Sequence, residues 1–157
     1  MKIHFWSIGR YHEPFVEQGV LDFTKRLNNY FPVSWKIIPT VKNSSSLSMQ
    51  DLRKKEGEAV LKLLGEGDFL VLLDERGKQL DSMQLAHMLQ TRANESVRQL
   101  IFLIGGAFGV DEQVKKKAGI TWSLSALTFP HQLVRLILAE QVYRACTILK
   151  NEKYHHH

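Results

Sequence analysis

The chain has a single cysteine, Cys146, in 157 residues. No disulfide can form within it. It has no apolar run near the roughly 18 residues that a membrane-spanning helix needs. Its first residues, Met1-Lys2-Ile3-His4-Phe5-Trp6, lack the apolar core and small-residue cleavage site of a secretory leader. These absences point to the cytoplasm and to no membrane partner. Nucleotide signatures are missing too. There is no Walker-type phosphate loop, and Gly105-Gly106-Ala107-Phe108-Gly109 is not the dinucleotide fingerprint. The strand that follows it, 120–124, does not end in the acidic residue that would hold a ribose. No Gly-x-Ser-x-Gly elbow surrounds Ser123 or Ser125. His4, His12 and His87 show no metal-ligand spacing, and Cys146 has no companion, so no metal site is expected.

What remains is the composition of a globular domain, 44% hydrophobic and 24% charged, with a formal charge of +5. The positive balance is compatible with an anionic partner such as RNA but does not require one. Hydrophobic periodicity predicts strands over 2–9, 33–39, 68–74, 100–104 and 120–124, and helices over 14–30, 49–64, 82–94, 111–117 and 130–149. In the 49–64 helix, Arg53, Lys54, Lys55, Glu56 and Glu58 read as a charged face, and Leu52, Val60, Leu63 and Leu64 as the apolar one. Glu75-Arg76-Gly77-Lys78 reads as a turn. Residues 40–48 are polar, serine-rich and without period, hence a loop. The strands at 69–73, 100–104 and 120–124 show little polar alternation, the pattern of a parallel sheet covered on both faces by helices. The expected class is α/β, in one domain.

The last helix is apolar on nearly every side, which a second copy of the chain or a central place in one domain would explain. Two charges interrupt it. Arg144 has Glu140 one turn before it, an internal ion pair. Arg135 has no acid one turn away, so a phosphate or an acidic group from another subunit is its expected partner. Lys115-Lys116-Lys117 reads as a solvated charge run. Ahead of this helix lies Ser123-Leu124-Ser125-Ala126-Leu127-Thr128-Phe129-Pro130-His131, a loop of small and hydroxyl residues with free main-chain amides beside a helix N-terminus. Such a loop can wrap a small polar ligand through backbone groups. Its serines read as loop and capping residues, and His131 as a capping or packing histidine. Leu73, Gly105 and Leu124 all fall at C-terminal ends of strands, the edge where open α/β sheets bind ligands.

A collinear set of segments resembles the ribosomal RNA large subunit methyltransferase H family of the SPOUT superfamily. The set comprises Met1-Lys2-Ile3 with Gly9, Lys55-Glu56-Gly57-Glu58, Leu73-Asp74 with Gly77-Lys78, Leu103-Ile104-Gly105-Gly106 with Gly109, the Leu124–His131 loop, Glu140-Gln141-Val142-Tyr143-Arg144-Ala145, and Tyr154-His155. The resemblance spans essentially the whole chain. It implies a parallel α/β sheet with a C-terminal trefoil knot, formed by one domain over 1–155, with His156 and His157 set aside as a candidate tag remnant. It implies a homodimer that binds S-adenosylmethionine through Leu73, Gly105, Leu124, Ser125, Ala126, Leu127, Thr128 and Phe129. The substrate it implies is a pseudouridine of 23S large-subunit rRNA, methylated at N3, on the ribosome, with no DNA partner. Chemistry then calls for a way to remove the imide proton. His155 and Tyr154 of the tail, with Arg144, are the candidate catalytic residues; Arg135 and Arg144 are the candidate RNA contacts. The alternative is a non-catalytic RNA- or ribosome-binding module of the same fold.

Overall fold

The computed structural model describes residues 1–42 and 44–156, with the side chain of Ser44 left aside. His157, half of the candidate tag remnant, and Asn43 of the predicted loop lie outside the described residues. Five strands, β1 (Lys2–Ile8), β2 (Val33–Ile38), β3 (Phe69–Gln79), β4 (Gln99–Ile104) and β5 (Ile120–Ser123), form one parallel sheet in the order β2-β1-β4-β3-β5. Five α-helices accompany them: α1 (Pro14–Leu27), α2 (Met49–Leu63), α3 (Ser82–Asn94), α4 (Glu112–Lys117) and α5 (His131–Leu149).

The central β4 and the first half of β3 are buried on both sides, as their unbroken apolar runs predict, whereas the edge strand β2 exposes Ser34 and Lys36. On one face Ile3, Phe5, Val71, Phe102, Ile104 and Trp122 pack with Leu85 and Leu89 of α3 and Leu138 and Val142 of α5. On the other, Trp6, Leu70, Leu72, Ile101 and Leu103 pack with Val60 of α2 and Val114 of α4. Each such Leu, Val or Ile side chain contributes roughly 1.5–3 kcal/mol when taken fully out of water.

Helix α5 lies against both α1 and α3 on the first face. Close approach to α1 depends on Gly19, where a Cβ would stand 2.6 Å from Leu136 Cδ1. This accounts for much of the helix's apolar girth. Leu133, Leu136 and Ile137 nevertheless stay only half-buried.

Two local expectations are corrected. Residues 75–78 are not a free turn. After a register shift between Leu73 and Lys78, β3 resumes and pairs Lys78 with Trp122 and Gln79 with Ser123. Gly77 permits this, because any Cβ there would lie 2.6 Å from the Thr121 carbonyl group. Glu56 does not belong to the solvated face of α2. It is buried in line with Leu52 and Val60, at spacings of four.

Candidate functional site

Register brings three distant segments to one edge. Leu73 pairs with both Ile104 and Trp122, so Leu73 of β3 lies at the height where β4 and β5 end. The residues just beyond, Asp74-Glu75, Gly105-Gly106 and Ser123 onward, therefore meet at the C-terminal rim of the sheet. They enclose a cavity of about 390 Å³, within the usual range for small-ligand sites. Its lining includes Leu73, Gly105, Leu124, Ser125, Leu127, Thr128 and Phe129, with Asp74, Glu75, Gly106, His131 and Val134. Seven of the eight residues expected at a ligand are thus brought together. Ala126 is the exception: it is exposed and does not line the cavity.

The loop is held in shape by its own serines. Ser123 Oγ donates to the Ser125 carbonyl at 2.9 Å, and Ser125 Oγ accepts from the Leu127 amide at 3.0 Å. Both hydroxyls are spent on local structure, which agrees with the reading that neither is a nucleophile. The Gly106–Gly109 turn forms the opposite wall. Gly109 donates to the Gly106 carbonyl at 3.2 Å and adopts φ +84°, a conformation that favours glycine. At Gly105 a Cβ would stand 2.8 Å from Val110 Cγ1. Helix α5 opens beside the cavity at His131 with Pro130 as N-cap and no side-chain cap, so its first-turn amides and positive dipole end face this region.

Beneath His131, one turn on, Arg135 is 1% exposed. The expectation that it meets a phosphate is corrected by this burial, because the guanidinium is not offered to solvent. It bonds the Nδ1 of buried His12 instead, at 3.2 Å, and its Nε has no partner. Burial, then the Arg135 charge, pushes His12 down to about 4. The same two causes lower His131, so a neutral imidazole faces the cavity. Sequence reasoning missed this buried His–Arg pair, since nothing in the spacing of residues 12 and 135 links them.

The three candidate catalytic residues gather elsewhere. Glu140 Oε1 accepts from Tyr154 Oη at 3.1 Å and from Arg144 Nε at 3.1 Å. Arg144 Nη1 lies 3.2 Å from His155 Nδ1, and its guanidinium stacks 4.8 Å over the Tyr154 ring. The tail is therefore docked on α5 rather than trailing. Neither Arg144, Tyr154 nor His155 lines the cavity. Thirteen residues of helix separate Arg144 from His131, about 20 Å along the axis at 1.5 Å per residue. A second cavity, of about 590 Å³, lies between α3 and the resumed end of β3. It is lined mostly by α3 side chains and lies away from the strand-end glycine turn.

Among the described residues no cluster of metal-ligating side chains occurs, and no helix is long and apolar enough to cross a membrane. Compared with known proteins, residues 1–155 match a family model described as a predicted SPOUT methyltransferase. Relatives include the ribosomal RNA large subunit methyltransferase H proteins of Parabacteroides distasonis and Cytophaga hutchinsonii. The first is 44% identical over 156 residues, 99% of either chain. The second is 42% identical over 99% of this chain and all of the relative. The protein of the same name from Trichlorobacter lovleyi is 41% identical, again over 99% of this chain.

Proposed function

Because the chain belongs to the SPOUT methyltransferase family, we propose that it methylates large-subunit ribosomal RNA from the strand-end cavity. S-adenosylmethionine is the donor and N3 of a pseudouridine in 23S rRNA, on the ribosome in the cytoplasm, is the acceptor. Residues 1–155 act as one methyltransferase domain, threaded at its C-terminal end as a trefoil knot. The observation that carries the reading is the convergence of Leu73, Gly105 and the 124–129 loop on one cavity.

The residues present fit such a donor. Glycines at 105 and 106 leave main-chain groups open to an adenosine-sized ligand. Asp74 and Glu75 on the lining give the site a negative character suited to a sulfonium. When bound, the donor supplies an electrophilic methyl group for in-line transfer. The chain's own task is to hold the acceptor nitrogen in line with that methyl and to remove the imide proton.

In this reading the Arg144–Tyr154–His155 cluster does the second part. His155 assists deprotonation or orients the base, Arg144 stabilises the imidate or contacts phosphate, and Tyr154 packs beside them, bonded to the same Glu140 as Arg144. Because the cluster does not line the cavity of its own chain, in this reading it serves the cavity of a second copy. A homodimer is therefore part of the proposal, and the half-buried Leu133, Leu136 and Ile137 of α5 support it.

The test is titration calorimetry with S-adenosylmethionine, followed by methyl transfer to ribosomes and to free rRNA from cells that lack the modification. Binding together with transfer to ribosomal RNA is expected. Deleting residues 154–157 should abolish transfer and leave donor binding intact. A protein that binds no donor overturns the reading. Full transfer without the tail overturns the role given to it.

A further inference from the structure

Behind the glycine turn stands a group that the reaction as described does not use. Glu56 is 4% exposed, and its Oε1 is buried without a hydrogen-bond partner. No cation among the described residues forms an ion pair with it. Arg53, one turn earlier, donates to the Phe108 carbonyl at 3.4 Å. Burial alone raises the Glu56 pKa, with no positive charge acting against it. Asp111, the N-cap of α4, packs against the adjoining Gly57, and it is an acid too.

The direction in which Glu56 points is unambiguous. A Cβ on Gly106 would lie 2.8 Å from its Oε1 and 2.9 Å from its Oε2. Both oxygens therefore face the backbone of Gly106, and Gly106 lines the cavity. Gly106, which has no side chain of its own, thus adjoins both the carboxyl and the cavity. Glutamine, leucine or methionine would fill the same place on α2 without leaving an unmatched acid in the core. A buried carboxyl whose Oε1 has no hydrogen-bond partner, set behind a wall residue that has no side chain, is arranged for a positive partner that arrives with the ligand.

We propose that Glu56, reached past Gly106, receives the cationic amino group at the amino-acid end of the methyl donor. This rests on the donor reading above and adds the residue that distinguishes a donor with its amino-acid end from one without it. The carboxyl gives that ammonium a charge-assisted hydrogen bond in a dry setting, where such bonds are strong.

The experiment compares S-adenosylmethionine with 5′-methylthioadenosine, a neutral thioether that lacks the amino-acid end, and with S-adenosylhomocysteine, a neutral thioether that keeps it and should behave as S-adenosylmethionine does. All three are titrated into the wild type, Glu56→Gln and Glu56→Leu. Either substitution should weaken S-adenosylmethionine at least tenfold and leave 5′-methylthioadenosine within about twofold, as expected for loss of one charge-assisted bond. Without ligand, Glu56→Leu should melt no lower than the wild type, because an unmatched polar group has been removed. Should it fail to fold, the isosteric Glu56→Gln carries the comparison alone. Equal losses for ligands with and without the amino-acid end would mean that Glu56 only props the turn, and would overturn the assignment. Unchanged affinity for all three would overturn it as well. A wild type that binds 5′-methylthioadenosine and S-adenosylmethionine equally well refutes this assignment but leaves the donor site standing, whereas one that binds neither refutes the donor site itself.

Discussion

The buried pair beneath the cavity makes the folded protein sensitive to mild acid. Arginine can only donate hydrogen bonds, so the Arg135 contact at 3.2 Å requires His12 Nδ1 to accept and the ring to be neutral. The ring is also fixed edge-on against Trp35, with centroids 4.9 Å apart. Protonating it would place two cations side by side in the core. Its pKa accordingly falls from 6.5 in the unfolded chain to about 4 in the fold, by burial first and the Arg135 charge second. A base whose folded pKa is depressed lends its full stability above pH 6.5 and loses it as the pH drops toward 4. Between pH 7.5 and pH 5 the unfolded chain takes up this proton and the native state largely does not. The linkage integral for these two pKa values gives a loss of about 2 kcal/mol at pH 5, approaching about 3 kcal/mol below pH 4. Urea unfolding at a series of pH values, with a constant m-value, measures it. His12→Asn keeps an acceptor for Arg135 and cannot titrate, so its stability should fall less steeply by that amount. Lowered pKa values at His4 and His131 leave the same residual slope in both proteins. Arg135→Met should show an intermediate slope, since burial still acts when the charge is gone. Parallel pH profiles for wild type and His12→Asn would refute the reasoning.

Gly105→Val adds a side chain whose first atom would stand 2.8 Å from Val110 Cγ1 at the cavity wall; donor affinity by calorimetry should fall at least tenfold, about 1.4 kcal/mol, with the circular dichroism spectrum unchanged. Gly77→Ala sets a methyl group 2.6 Å from the Thr121 backbone, where no side chain can yield. It should cost roughly 1–3 kcal/mol or more by denaturant midpoint, the scale of overpacking. Mixing Gly105→Val with Arg144→Ala, each inactive alone, should restore about a quarter of wild-type transfer if subunits exchange freely, since half the dimers then carry one intact site of two; no recovery after exchange would sink the shared site.

The fold was legible where one signal dominated. The apolar runs 69–73 and 100–104 read as strands covered on both faces, and the predicted helix over 82–94 coincides with α3, whose start the structure closes with a capping box of Asp81 and Gln84. Where two signals competed, the weaker one carried the truth. Glu75-Arg76-Gly77-Lys78 has turn composition, yet Gly77 serves close contact with Thr121 rather than a turn, and composition cannot distinguish those uses. Glu56 lies among charged neighbours, and its charge outweighed a spacing of four from Leu52 and from Val60 that would have placed it inward. The cavity was legible as strand ends. The His12–Arg135 pair was not, because it joins residues 123 positions apart through a contact that only the packing of α1 against α5 creates.

Helix α5 is what makes a small protein's site divisible. Its 19 residues span about 28 Å, with His131 at the cavity and Arg144 near the far end. Packing against α1 and α3 fixes both ends to the same rigid body, so no bending within one chain brings Arg144 to the glycine turn. In the proposed homodimer a two-fold axis beside the helix would set the two copies antiparallel and bring each His131 end toward the other chain's Arg144, completing both sites by one contact. On that proposal the helix is apolar between its cavity end and the Glu140–Arg144 cluster. The half-buried Leu133, Leu136 and Ile137 between the cavity end and the Glu140–Arg144 cluster follow that order. A composite site of this kind costs no additional domain, which suits a chain whose whole core is occupied in supporting one sheet.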